Sequence, residues 1–227
     1  MEQIRDQWLR VDFHCHTLYS DDSLSKLPDL LEKAHQKELD RLIITDHNTI
    51  QGALAAKTLD PEFIIVGEEI ETKTGELLAA FVTEEVPAGL PVEEAVQRLR
   101  QQGAFISVSH PFDRKRSGLS EVDLIKLAPL VDAIEVFNAR CLSAGPNNRA
   151  RQFAREHHLP GTAGSDAHMA FEVAHVCLRV PLFNNADDLR QVISQGVPEG
   201  SLSPIWIHFL STFAILSKKF WPAVPKK

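Results

Sequence analysis

A chain of 227 residues, 44% hydrophobic and 24% charged, is long enough to bury a sizeable core, and its composition excludes a disordered or fibrous protein. Its 24 Lys and Arg against 31 Asp and Glu give a formal charge of −7, with no clustered basic footprint of the kind long nucleic acids need. Three cysteines, Cys15, Cys141 and Cys177, are odd in number and include no CxxC; they argue against a disulfide framework and a thiolate zinc site and suit a reducing cytoplasm.

In chain order, MEQIRDQWLR has no apolar core and does not read as a signal peptide. Residues 9–13 read as a strand and residues 28–38 as a helix that opens on Pro28. RLIIT (41–45) is a strand and 49–58 a helix. FIIVGEEIET and ELLAAFV flank KTG and predict a hairpin. Residues 91–102 carry Val92, Ala95, Val96 and Leu99 on one helical face, and Gly103 ends them. Strands follow at AFISVS, VDAIEVF, PGTAGS and VCLRV, with helices at 120–128, 147–158 and 186–195.

This alternation favours a parallel sheet with helices outside, as a barrel or an open sheet. No linker or internal repeat interrupts it. The domain reading is a single barrel over 1–200 and an apolar helix and tail over 201–227. The apolar run Ile205–Leu216 is shorter than the roughly 20 residues of a spanning helix and is broken by His208. It is expected to pack on the domain or on a partner subunit, which allows a homo-oligomer. A membrane-surface helix flanked by Lys218, Lys219, Lys226 and Lys227 is the alternative.

Five of the ten histidines stand where apolar strands run out: His14 and His16 after RVDF, His47 after LIITD, His110 after ISVS and His168 after GTAGSDA. In parallel α/β folds that edge holds the site. Residues two apart in a strand point the same way, so HxH (His14, His16) and DxH (Asp166, His168) each offer two ligands to one side. If the strands close into a barrel, the two pairs meet. The carboxylates Asp21, Asp22, Asp46 and Glu69 are interleaved with them. Such N and O donors suit Zn, Mn or Fe, and a carboxylate between imidazoles can bridge two ions. Cys15 falls between ligand positions on the opposite face and is expected to pack in the core. His35, His157, His158, His175 and His208 are read as structural.

In this order, DFHCHTLYSDD, ITDHN, VGEEI, SHPF, IEVFNAR and GSDAH resemble the motifs of the PHP (polymerase and histidinol phosphatase) superfamily, over residues 11 to about 180. The likeness is strongest to its small stand-alone phosphoesterases. The resemblance implies a distorted seven-stranded β/α barrel, TIM-like, with two or three divalent ions at its C-terminal face. Carried over by motif, His14, His16, Glu69 and Asp166 would hold one ion, and Glu69 would bridge to a second beside His110. Asp21, His47 and His168 would hold a third. Asp21 is preferred to Asp22 because it directly follows the Tyr-Ser of the motif. Where the family supplies a further histidine, this chain reads TGELLAAF, and Glu76 stands roughly in its place.

The implied chemistry is hydrolysis of a small phosphate ester or short nucleotide by metal-activated water, with no long nucleic acid as substrate. Arg114 and Arg116 in HPFDRKRSG and Arg140 in NAR could grip phosphate with their planar forks. Asp46 could orient an imidazole or cap the helix that follows it, and Glu135 could line the pocket with Asn138. An amidohydrolase-like enzyme on a non-phosphate bond, and an inactive metal-binding module, are the competing readings.

Overall fold

The computed structural model describes residues 8–113, 116 and 119–220; Arg114, Lys115, Lys226 and Lys227 lie outside the described residues. Strands β1 (Trp8–Asp12), β2 (Arg41–Ile44), β3 (Ile64–Thr72), β4 (Gly75–Ala80), β5 (Phe105–Val108), β6 (Ala133–Asn138), β7 (Gly161–Gly164), β8 (Val176–Pro181) and β9 (Val197–Gly200) form one sheet. Its order is β7-β6-β5-β4-β3-β2-β1-β8-β9. Helices α1 (Leu27–Gln36), α2 (Gln51–Leu59), α3 (Val92–Gln101), α4 (Glu121–Leu127), α5 (Ala144–Glu156) and α6 (Ala186–Val192) alternate with the strands, and α7 (Ile207–Phe220) follows.

The sheet is mixed rather than wholly parallel. β3 and β4 are joined by two residues, too few for the crossover that parallel strands need, so they pair antiparallel, as the hairpin reading requires. β4 also runs against β5, and β8 runs against β1 and β9. β9 is absent from the sequence reading because Pro198 and Gly200 mask its strand character; it sits at the sheet edge, where proline is tolerated.

Alternation along the strands separates two apolar layers. Leu42, Ile44, Ile64, Val66, Ile106, Val108 and Ile134 face outward to meet Leu30 and Ala34 of α1, Ala53 and Ala56 of α2, Leu99 of α3 and Phe153 of α5. Ile43, Ile65, Phe105 and Ala133, one residue out of phase, face inward with Val11, Phe13, Leu178 and Val180.

The barrel nearly closes because the first strand serves two neighbours. Trp8–Val11 pair with β8. Beyond Asp12 the chain leaves β8 and meets β7: Phe13 N donates to Ala163 O (3.3 Å), Asp166 N to His14 O (2.7 Å) and His16 N to Ala167 O (2.8 Å). The buried Asp12 carboxylate pins this seam by accepting from His14 N (3.2 Å), Ser165 N (2.8 Å) and Ala174 N (2.9 Å). Burial pushes its pKa up to about 6, against these bonds. At Gly164 a Cβ would lie 2.4 Å from His14 Cβ and 2.7 Å from His14 N, so the strands can cross this closely only without a side chain there.

Glu68 and Glu69 point to opposite faces of β3. Glu68 is buried in the outer layer, where one carboxyl oxygen accepts from Val86 N (3.0 Å) and the other has no hydrogen-bond partner among the described residues. Burial raises its pKa from 4.5 to about 8. Between those values the folded state holds a proton that the unfolded state has lost, so stability falls as pH rises from about 4.5 to about 8. Glu68→Gln is expected to remove that part of the slope, on the order of 5 kcal/mol across the window. Urea midpoints of both proteins, measured at intervals of pH, check this; parallel curves would refute it.

Candidate metal centre

His14 and His16 flank Cys15, and Asp166 and His168 flank Ala167. The parallel bridge between Cys15 and Ala167 sets the two pairs side by side at the top of the barrel. Cys15 turns into the outer core, as alternation predicts, and burial pushes its thiol well above the ordinary range. Asp166 adopts φ +54°, a left-handed backbone that a non-glycine residue rarely takes.

Four candidate ligand atoms converge there. His14 Nε2 lies 3.0 Å from His16 Nε2, 3.1 Å from Glu69 Oε2 and 3.5 Å from Asp166 Oδ1. His16 Nε2 lies 3.3 Å from each of those two carboxylate oxygens. The outer ring nitrogens account for the protons. His14 Nδ1 meets Glu135 Oε1 (3.1 Å), an acceptor. His16 Nδ1 meets Ser20 Oγ (3.1 Å), whose own proton goes to Asp46 Oδ1 (2.8 Å). With Nδ1 protonated on both rings, two imidazole lone pairs and two carboxylates face one another with no hydrogen between them. Contacts of 3.0–3.5 Å also match the edges of a coordination polyhedron, roughly 3.0–3.4 Å for bonds of about 2.1 Å. The donor set therefore fits a divalent ion. Burial alone would lower the pKa of His14, yet Glu69, Asp166 and Glu135 raise it well above its ordinary value, which measures how strongly the cluster calls for positive charge.

Glu69 links this cluster to two others. Its Oε1 lies 3.4 Å from His110 Nε2, which is 3.5 Å from Glu76 Oε2. β4 descends from the top of the barrel, so Glu76 near its start reaches the same edge as the ends of its neighbours. Burial, and then the Glu69 charge, push Glu76 up to about 7. Glu69 Oε2 also lies 3.3 Å from His47 Nδ1. His47 groups with His16 and His168, and Asp22 Oδ2 stands 2.8 Å from His168 Nε2 and 3.5 Å from His47 Nε2. Although burial opposes it, His168 and His47 hold the Asp22 carboxyl well below the usual range.

Asp22, then, occupies the place expected for Asp21, which is exposed. The loop decides this. Asp46 accepts from Thr17 N (2.6 Å), Thr17 Oγ1 (2.6 Å) and Ser20 Oγ (2.8 Å), while Ser23 Oγ and Leu24 N donate to His168 O (2.9 and 3.0 Å). Held at both ends, the turn presents its second aspartate to His168. Asp22→Asn is expected to lower the bound-ion count and to reduce activity at least about tenfold, and Asp21→Asn to leave both unchanged. Elemental analysis of the two variants separates them; equal losses would overturn the assignment.

Asp46 does not cap α2, which has no side-chain cap, and it does not line the cleft. It positions His16 through Ser20, and Gly52 leaves room for it: a Cβ there would lie 2.1 Å from Asp46 Oδ2. Nor does Glu135 line the cleft. It stands behind His14 and accepts from His110 N (2.8 Å) and Asn138 Nδ2 (3.1 Å). Arg140 does reach the cleft, although buried, as does Arg116, which is bonded to Asp166 Oδ2 and to Asn138 Oδ1 (3.0 Å). Arg114 lies outside the described residues.

Two further residues line the cleft from α7: His208, which the sequence reads as structural, and Ser211, which it does not single out. Arg140 donates to Ser211 Oγ (2.7 Å) and Ile207 O (3.3 Å), and Lys218 Nζ donates to Leu18 O (2.7 Å) and Ser20 O (2.5 Å). These bonds lay α7 along one wall of a cleft of about 260 Å³. Burial, then Arg140 and Arg116, lower the His208 pKa. The available signal was a histidine interrupting an otherwise apolar helix.

Two family models match the chain, one described as PHP domain over residues 12–85 and one as PHP-associated over residues 144–198. An uncharacterised protein of Methanocaldococcus jannaschii, MJ0417, is 37% identical over 187 residues, 80% of this chain and 75% of its own. The chain belongs to the PHP family. Among solved structures it is similar to PsfC from Pseudomonas syringae (TM-score 0.70, 20% identity, covering 93% of this chain and 99% of that one). A protein described as a metal-dependent phosphoesterase, from Bifidobacterium adolescentis, gives TM-score 0.60 at 18% identity, covering 82% and 96%. The lesion-specific endonuclease EndoQ from Pyrococcus furiosus gives 0.62 at 19%, covering 83% and 56%. At these identities the structures show a shared PHP fold, a distorted TIM-like barrel. PHP-family proteins are metal-dependent hydrolases, and the His, Asp and Glu clusters described here suit divalent metal binding.

Proposed function

We propose that the protein is a metal-dependent phosphoesterase that hydrolyses a phosphate ester of a small metabolite or a short nucleotide. The observation that carries this reading is the convergence of three donor clusters on Glu69, with Arg116 and Arg140 lining the same cleft. His14, His16, Glu69 and Asp166 would hold one ion, Glu69, Glu76 and His110 a second, and His16 or Glu69 with Asp22, His47 and His168 a third. Mn, Zn or Fe would suit these nitrogen and oxygen donors. Such ions supply hydroxide at neutral pH and neutralise phosphate charge.

The rest falls to the chain. Arg116 and Arg140 place positive charge in the cleft against the non-bridging phosphate oxygens, with Arg116 held in position by Asp113, Asp166 and Asn138 and Arg140 by Ser211 and Ile207. Their cations and the site's burial strengthen that grip, because charges act over short distances in a medium poorer than water. His208, neutral at pH 7, and Ser211 offer hydrogen bonds to the remainder of the substrate from the α7 wall. The cleft of about 260 Å³ is at the small end for ligand sites, which favours a small ester. With a charge of −7 and no long basic track, a nucleic-acid polymer is not the substrate we propose, although endonuclease Q uses the same fold.

Hydrolysis of p-nitrophenyl phosphate with Mn²⁺, abolished by EDTA, tests the reading, followed by a screen of metabolite phosphates. Turnover confined to amides would assign an amidohydrolase-like activity instead. Bound metal without turnover of phosphate monoesters or diesters would leave a metal-binding module. Glu76→Ala is expected to lower the ion count and reduce kcat/KM at least about tenfold; unchanged metal content would remove Glu76 from the ligand set.

A further inference from the structure

α7 carries two stripes on nearly opposite faces. Ile207, Ser211, Ala214 and Lys218, spaced four, three and four apart, face the domain, where Ile207, Ala214 and Lys218 are buried. Trp206, just before the helix and stacked on Phe171, and Phe209, Phe213, Leu216 and Phe220 repeat at intervals of three, four, three and four, and they are 52%, 74%, 60%, 54% and 80% exposed. An a/d stripe with an average period of 3.5 residues is a seam for a second helix, narrower than the broad apolar face with which a helix lies in lipid.

We infer that this stripe docks against the same stripe of a second copy of the chain. The residues would remove roughly 600 Å² per chain from water, if each side chain offers about 200 Å² in full. Two copies together then reach about 1,200 Å², the lower end of stable interfaces. Charge permits self-pairing: between Ile205 and Phe220 the exposed residues include one charged group, Lys219, and no acid. Lipid is the weaker occupant. A surface-bound helix needs a basic flank free for headgroups, whereas of the two described lysines at this end Lys218 is committed to the Leu18 and Ser20 carbonyls and Lys219 alone is exposed. Because the two stripes are nearly opposed, the partner leaves the His208 and Ser211 face open to substrate.

Sedimentation of the full chain across micromolar concentrations is expected to show a dimer, and Phe209→Glu combined with Phe213→Glu a monomer with unchanged far-ultraviolet dichroism. Phe213 is near the midpoint of the stripe, where a two-fold axis brings a residue against itself. Phe213→Cys is therefore expected to cross-link between copies on mild oxidation, since Cys15, Cys141 and Cys177 are buried. A monomeric native chain, a double variant that still dimerises, or absence of the Phe213→Cys cross-link would each overturn the inference. So would a monomer that co-sediments through this stripe with phosphatidylcholine–phosphatidylserine vesicles.

Discussion

Glu69→Gln is expected to lower kcat/KM for phosphate-ester hydrolysis by about 10³-fold and to lower the bound-metal count by more than one. The two carboxylate oxygens face different clusters. Oε2 lies within 3.1–3.3 Å of ligand nitrogens on His14, His16 and His47, and Oε1 lies 3.4 Å from His110 Nε2. An amide of the same shape presents a single oxygen and carries no charge. Its NH₂ donates hydrogen bonds and cannot coordinate, so one of the two sides meets protons where it needs a lone pair. Loss of one preorganised group that stabilises transition-state charge typically costs about 10²–10³ in rate; a residue shared by several ions should sit at or above that range. Ser109 Oγ, which donates to Oε1 (2.6 Å), would keep the side chain in place, so the fold should survive. Elemental analysis beside steady-state kinetics decides. Full metal content with full activity would remove Glu69 from the centre and take the proposed site with it.

Gly164→Ala is the stability counterpart. The added methyl group would lie 2.4 Å from His14 Cβ and 2.7 Å from His14 N, a collision with backbone that no rotamer change relieves. Overpacking of a well-filled site usually costs about 1–3 kcal/mol, and a backbone clash belongs at or beyond the upper end. The place of the damage matters more than its size. Separating β7 from the chain after β1 would break Phe13 N to Ala163 O, disturb the Asp12 bonds, and draw Asp166 and His168 away from His14 and His16. A lower urea midpoint together with weaker metal affinity is expected, with the stability loss persisting in EDTA. A variant as stable as the native chain would show that the seam is looser than the structure describes.

Much of this was legible before any coordinates. RVDF, LIIT, FIIV and ISVS announce strands because β-branched and aromatic runs of four to five residues, bounded by polar segments, have few other stable solutions. The candidate ligands stand out because imidazoles and carboxylates recur where those runs stop. Spacing two apart also decided the face: His14 and His16 converge while Cys15 turns away, and Glu69 enters the centre while Glu68 is left in the outer layer. Motif order identified the family for the same reason, since ligand chemistry restricts which residues can stand at each strand end.

Other features depended on where the chain ends up in space. Asp21 and Asp22 are adjacent, chemically identical and equally well placed along the sequence. Only a turn pinned by Asp46 on one side and by the His168 carbonyl on the other selects Asp22. Asp46, beside His47, and Glu135, late in a strand, look like cleft residues from their positions, but they stand behind the imidazoles and act on them through hydrogen bonds. His208 and Ser211 lie about 100 residues from His110 and enter the cleft wall because Arg140 and Lys218 tie α7 across the barrel mouth. Local pattern is a property of neighbours along the backbone, so it carried all the strands but β9, their inward faces and the kind of candidate ligand at their ends. Contacts between segments far apart in the chain have no local signature, and it is those contacts that set which of two aspartates is presented, which groups touch the cleft, and that the last helix forms its wall.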